Sequence, residues 1–195
     1  MIRLSLPIAL TAVAALAACS PASDTAEEST STETPSADAA AEAPSNETVG
    51  SASLALADGT PAGTVELLGN GGNLTLKIAA TGLPEGTHGF HLHTTGDCTP
   101  PDFTSAGGHL NPAGNEHGRE NPAGSHLGDL PNLVVAADGT ASTTTDLGSE
   151  EQSVIDSLFD ADGTAVVVHA DADDYRTDPT GNAGARLACG VLERT

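Results

Sequence analysis

Between residues 49 and 195 apolar and polar positions alternate with a period of two. Leu74-Thr75-Leu76-Lys77-Ile78 is the clearest run: every second residue is apolar, as a strand with one wet face requires. Ser53-Leu54-Ala55-Leu56 and Val65-Glu66-Leu67 repeat the pattern. Further strands are predicted at residues 133–136, 140–146, 164–170 and 186–192, with another around Phe90-His91-Leu92-His93. Turn signals separate them at Asp58-Gly59, Asn70-Gly71-Gly72, Pro84-Glu85-Gly86, Asp138-Gly139 and Asp162-Gly163. About eight short strands with no long helical period imply an all-β sandwich or barrel. Residues 152–159 are expected to add one short helical turn.

Two stretches, residues 94–128 and 171–184, are too long and irregular for hairpin loops. Long structureless segments in a compact domain are usually functional. The first follows His93 directly and the second lies just beyond His169. Asn-Pro-Ala-Gly occurs twice in the first, from Asn111 and from Asn121, and reads as two turns.

The amino-terminal part is different material. Residues 1–18 carry one base, Arg3, and then an apolar run from Leu4 to Ala18, too short and Ala-rich to span a bilayer. The segment reads as a signal peptide. Its end, Leu16-Ala17-Ala18-Cys19, resembles the lipobox of bacterial lipoproteins, which implies lipidation of Cys19. Residues 19–48 are rich in Ser, Thr, Ala, Pro, Asp and Glu, with no base and no aromatic. Such a stretch buries too little apolar surface to offset its ordering entropy, so a disordered acidic tether is expected. Residues 49–195 form the folded domain. An exported protein of the cell envelope or periplasm follows, anchored through Cys19. Ser20 after that cysteine, in place of Asp, resembles outer-membrane sorting.

The formal net charge is −21, and the domain holds only five bases, Lys77, Arg119, Arg176, Arg186 and Arg194. That balance argues against nucleic acid and against anionic headgroups as partners. Of three cysteines, Cys19 belongs to the leader; Cys98 and Cys189 are an even pair in an exported domain, so a disulfide is expected.

The chemistry lies in the histidines. Seven are present, and His91, His93, His109, His117, His126 and His169 form one pattern with Asp129. His91 and His93 stand at i and i+2 of a strand and so project from the same face, with Phe90 and Leu92 turned to the core. Several imidazoles with one carboxylate suit zinc, and an all-imidazole set suits copper. The spacing reads as two metal sites that share a ligand.

From residue 82 to 191 the chain resembles the copper-zinc superoxide dismutases of the bacterial exported type. The resemblance rests on His88-Gly89-Phe90-His91-Leu92-His93, Gly96-Asp97-Cys98, Ala106-Gly107-Gly108-His109-Leu110-Asn111-Pro112, His126-Leu127-Gly128-Asp129-Leu130, Val167-Val168-His169 and Gly181-Asn182-Ala183-Gly184-Ala185-Arg186-Leu187-Ala188-Cys189-Gly190. It implies an eight-stranded Greek-key barrel with both ions on its outer wall, one copper and one zinc per chain. Carried over position by position, His91, His93, His109 and His169 hold copper, and His109, His117, His126 and Asp129 hold zinc, with His109 bridging. Asp173 matches a carboxylate that links one copper histidine to one zinc histidine. His88 matches a structural histidine that binds no metal. Cys98 and Cys189 match the family's disulfide. Arg186 matches an arginine at the mouth of the copper channel, where its guanidinium would hold the superoxide anion; Arg176 is a second candidate for steering.

The implied activity is dismutation of superoxide to dioxygen and hydrogen peroxide, with His109 passing a proton to the departing peroxide. The alternative is a dismutase-like module that binds or delivers copper without turnover. A zinc hydrolase would need an open coordination position, which three zinc histidines plus Asp129 do not leave. The sequence is compatible with a monomer or a homodimer.

Overall fold

A computed structural model describes residues 46–149 and 152–195. The leader, the lipidation position and nearly all of the expected tether lie outside the described residues.

Among the described residues nine strands and one short helix follow one another: β1 (Glu47–Leu56), β2 (Pro61–Gly69), β3 (Asn73–Ala80), β4 (Gly86–His88), β5 (Phe90–His93), β6 (Leu133–Val135), β7 (Ala141–Ser149), α1 (Gln152–Leu158), β8 (Thr164–His169) and β9 (Arg186–Arg194). A single 3-10 turn, Thr104–Ala106, interrupts the first long loop. Every strand expected from the period-two pattern is present, and so is the helical turn. β1 begins at Glu47, two residues before the expected domain boundary, because Glu47 and Thr48 pair with Gly69 and Leu68 of β2.

Seven strands make one sheet in the order β5-β8-β9-β1-β2-β3-β7, all pairs antiparallel. β4 and β6 form a second, two-stranded sheet. β4 runs into β5 through Gly89, and β6 runs into β7 through the turn in which Ala136 N–H donates to Thr140 O. The small sheet therefore joins the two ends of the large one and curls it into a barrel.

Alternation decides what faces inward. β3 buries Leu74, Leu76, Ile78 and Ala80, exposes Lys77 and Ala79 and leaves Thr75 half-buried. Phe90 and Leu92 of β5, Val166 and Val168 of β8, and Ala188 and Leu192 of β9 join the same core. The outward residues of β5 and β8 are buried as well, because the first long loop lies over them. Ala165, Val167 and Cys189 pack there against Phe103 and Ala106. The Cys98–Cys189 disulfide, closing a separation of 91 residues, ties that loop to β9.

β5 lies at the margin of the large sheet, and the first long loop covers its free edge. Leu92 N–H donates to Gly128 O (3.0 Å), and Leu92 O accepts from Leu110 N–H (2.8 Å). These bonds satisfy an edge that would otherwise invite pairing with another chain. They also set His109 opposite His93 and Asp129 opposite His91. Gly128 is required here: a Cβ at this position would strike the Leu92 carbonyl.

Candidate metal centre

The strand pairing delivers the donors. His91 and His93 point outward from β5, opposite Val167 and Ala165 of β8. His169 ends β8, after a register shift that places it beside Arg186 of β9. The loop brings His109, His117, His126 and Asp129 over the same face. The result is two sets of donor atoms, each within 4.8 Å of one another: His91, His93, His109 and His169 in the first, and His109, His117, His126 and Asp129 in the second. All seven residues are buried. The structure thus brings together every residue that the resemblance assigned to copper or zinc.

Outer hydrogen bonds decide which ring nitrogen each histidine offers. His93 Nδ1 donates to Gly107 O (3.0 Å) and His169 Nδ1 to Gly184 O (3.3 Å), leaving the Nε2 atoms free and 3.3 Å apart. His91 Nε2 donates to Asp173 Oδ2 (2.7 Å), so its Nδ1 faces the first set. His117 Nε2 donates to Asp173 Oδ1 (3.0 Å), so its Nδ1 faces the second. Asp173 therefore links the two sets, as the resemblance implied. Such partners fix the tautomer and orientation of a metal-binding ring. His109 differs: Nδ1 lies with the second set, 2.9 Å from Asp129 Oδ1, and Nε2 turns to the first.

The donor geometry fits ions. His91 Nδ1 and His109 Nε2 are buried with no hydrogen-bond partner, a costly condition unless something else engages them. In the second set the Nδ1 atoms of His109, His117 and His126 converge on Asp129 Oδ1 at 2.9, 3.0 and 3.1 Å. Tetrahedral zinc with bonds of about 2.0–2.1 Å places neighbouring donors about 3.3 Å apart, close to that spacing. The other carboxylate oxygen, Asp129 Oδ2, accepts from Gly118 N–H (2.9 Å) and His126 N–H (3.0 Å), which fixes its direction.

Burial also prepares the protonation states. It pushes His93 down to about 2, His169 to about 3 and His109 to about 4, with neighbouring histidines adding to the effect. These rings are neutral at pH 7, the form that binds metal. Burial acts to raise Asp129, but the His109 ring and the Gly118 and His126 N–H groups outweigh it and hold the carboxylate below its usual range. Asp173 is lowered in the same way: hydrogen bonds from His91, Tyr175 N–H and His117 overcome its burial.

Arg186 is half-buried beside the first set. Nη1 donates to Phe103 O (2.5 Å) and Nη2 to Gly107 O (2.6 Å). Gly107 O thus serves both Arg186 and the outer nitrogen of His93. Burial lowers the guanidinium from its ordinary value and nearby Asp102 opposes this; an arginine stays charged regardless. Arg176 is engaged elsewhere: its Nη2 meets Glu120 Oε2 in an exposed ion pair, which offsets its charge locally. His88 makes no part of either set; its ring nitrogens lie 2.8 Å from His169 O and 2.9 Å from Pro84 O, a structural place. Sequence reasoning missed the carbonyls of Phe103 and Gly107, because backbone groups carry no residue-type signal.

Two ion positions sharing one imidazole on the outer wall of a closed antiparallel barrel define a dinuclear metalloprotein. The pattern of the copper/zinc superoxide dismutases (SODC) matches residues 61–192. A curated relative, superoxide dismutase [Cu-Zn] 2 of Aquifex aeolicus, is 41% identical over 144 residues, covering 72% of this chain and 84% of its own. The superoxide dismutase [Cu-Zn] of Caulobacter vibrioides is 43% identical over 149 residues, covering 73% and 84%. Among solved structures, a double mutant of a SOD-like protein from Bacillus subtilis, with a tyrosine and a proline each replaced by histidine, is 41% identical. It superposes with a TM-score of 0.69 over 75% of this chain and 99% of that one. The chain belongs to the copper/zinc superoxide dismutase family. It dismutes superoxide, with copper and zinc as its cofactors.

Proposed function

We propose that His91, His93, His109 and His169 hold the copper, that His109, His117, His126 and Asp129 hold the zinc, and that Arg186 receives the superoxide anion. Bound copper supplies one-electron exchange, taking an electron from one superoxide to give dioxygen and returning it to a second to give peroxide. The protein's residues supply the rest. Arg186 presents a charged, planar donor fixed by two carbonyls, a preorganised partner for a small anion. His109 must shed both ring protons to face two cations, which their charge makes feasible. Its Nε2, which no protein group engages, would hold copper when deprotonated and, when released from it, would be the atom that holds and gives up a proton for the departing peroxide. Asp129 and its backbone donors keep His109 in place from the other side, and Asp173 keeps His91 and His117 aligned.

The observation that carries this reading is the position of His109, with one ring nitrogen in each donor set. The test is superoxide consumption by protein loaded with copper and zinc, with peroxide measured in parallel. Many turnovers per copper and loss on chelation are expected. Consumption that stops at one equivalent per copper supports the alternative, a copper carrier without turnover. His109→Ala should abolish turnover while His88→Ala keeps its metals.

We further infer export and attachment through a lipid on Cys19. Leu16-Ala17-Ala18-Cys19 supports the second, and the disulfide, a bond of oxidising compartments, supports the first. Mass spectrometry of the mature amino terminus tests both: a lipidated Cys19 is expected, and an unmodified Met1 refutes them. Val134 is the one large apolar side chain broadly exposed among the described residues, which supports a monomer. Sedimentation velocity checks that state.

A further inference from the structure

Asp173 sits between His91 and His117 without being held by either strand that carries the copper donors. It lies on the second long loop, and its place is set by residues to which the resemblance assigns no role. Asn132, immediately before β6 and three positions after Asp129, clamps its backbone from two directions. Asn132 Nδ2 donates to Asp173 O (2.9 Å), and Asp173 N–H donates to Asn132 Oδ1 (2.9 Å). The asparagine amide donates through its nitrogen and accepts through its oxygen, so one planar group engages both the carbonyl and the N–H of Asp173. Asn132 N–H in turn donates to Tyr175 Oη (2.7 Å), and Tyr175 N–H donates to Asp173 Oδ1 (2.7 Å). On the open side stands Gly181, buried and at φ +62. A Cβ there would strike Asp173 Oδ1 and come within 2.6 Å of His117 Nε2, the two atoms that bond each other.

We propose that Asn132 and Gly181 are positioning residues for Asp173: the first fixes its backbone, and the second leaves the only room in which its carboxylate reaches both rings. The proposal rests on the assignment of His91 to copper and His117 to zinc. Through Asp173 these two residues govern how firmly each ring is aimed at its ion. Neither touches an ion or the substrate, and each acts only through the carboxylate.

The test uses the full-length, metal-loaded protein and reads zinc release to an excess of chromophoric chelator, together with the copper(II) EPR spectrum. Asn132→Ala and Gly181→Ala should each speed release by up to about tenfold, the lower end of what losing such an outer partner costs. Both should shift the EPR parameters in the direction that Asp173→Ala does. Placed on top of Asp173→Ala, neither should speed release further. Gly71→Ala is the control for backbone strain, since Gly71 has φ +75 with nothing near its Cβ position, and it should change neither readout. Asn132→Asp, which keeps the acceptor and loses the donor, serves if the alanine variant does not fold. Unchanged release in both variants, or equal acceleration with and without Asp173, overturns the proposal. Zinc content of the unsubstituted protein tests the ion assignment separately. In metal-free protein the buried ring N–H protons of His91 and His117, bonded to Asp173, should exchange slowly and give sharp signals; these should weaken in Asn132→Ala, and their persistence refutes the proposal.

Discussion

Removing the ions should leave a protein that acid destabilises steeply, and the buried rings set the size of the effect. His93, His169 and His109 are pushed from an ordinary value of 6.5 down to about 2, about 3 and about 4, chiefly by burial. The folded state therefore keeps them neutral at pH 5, while the unfolded chain takes up a proton at each. A lowered value contributes stability that is complete above 6.5 and is lost as pH falls toward the folded values. At pH 5 the unfolded chain gains about 2 kcal/mol for each ring, about 6 kcal/mol for the three. Total stabilities of single domains are about 5–15 kcal/mol, so this is a large share. The assay is urea unfolding of metal-free, disulfide-intact protein at pH 8 and pH 5. A fall of several kcal/mol is expected, and His93→Gln, which removes one titration, should reduce the fall by about 2 kcal/mol. A flat profile between these values, or a rise on acidification, refutes the burial argument. The same depression has a use: at neutral pH an incoming ion meets donors that protons do not contest.

Phe90, fully buried in the barrel core, should cost about 3–5 kcal/mol on change to Ala, read by urea unfolding of the metal-loaded protein. Replacing Cys98 and Cys189 together by Ser opens a closure spanning 91 residues and should cost about 4–5 kcal/mol, read in the same way. Asp173→Ala should weaken zinc and copper binding by about 10–100-fold, measured by chelator competition. Arg186→Ala should lower kcat/KM and flatten its dependence on salt, whereas Arg176→Ala should leave the salt profile unchanged because Glu120 already offsets that charge.

The sheet was legible because its signal is local. Each strand alternates on its own, and Leu74, Leu76 and Ile78 name their face without reference to any other element. The donor set was legible for another reason: imidazole is scarce here and its spacing matches a known pattern. What stayed hidden depends on contacts between distant segments. The loop's return along β5, which sets His109 opposite His93, uses backbone groups of Leu92, Leu110 and Gly128 that any sequence supplies. Nothing in the sequence marks Asn132, because its role exists only where the second long loop places Asp173 against it. Arg176 shows the converse: its loop position suggested steering, and the approach of Glu120, 56 residues away in sequence, gives its charge a local partner that the sequence did not reveal.

The acidic surface and the anionic substrate are reconciled by where each positive charge is used. Lys77 pairs with Glu66 at 2.9 Å, Arg176 pairs with Glu120, and Arg194 lies over the Phe159 ring, 5.6 Å from its centroid. Arg119 donates to Asp129 O at 3.3 Å, beside the zinc carboxylate. Among the described bases, Arg186 alone is half-buried and bonded to two carbonyls, which orient its charge without cancelling it. Asp102, the acid that acts on it, is lowered by hydrogen bonds from the Thr104 backbone and side chain, which hold that carboxylate in the turn. Exposed charges beyond about 8–10 Å are largely screened at physiological salt, so most of the acids contribute little at the copper position. Partial burial leaves the Arg186 charge less screened than theirs. The sign met by a small anion is thus set by one fixed guanidinium and the bound ions, while the net charge of −21 governs solubility.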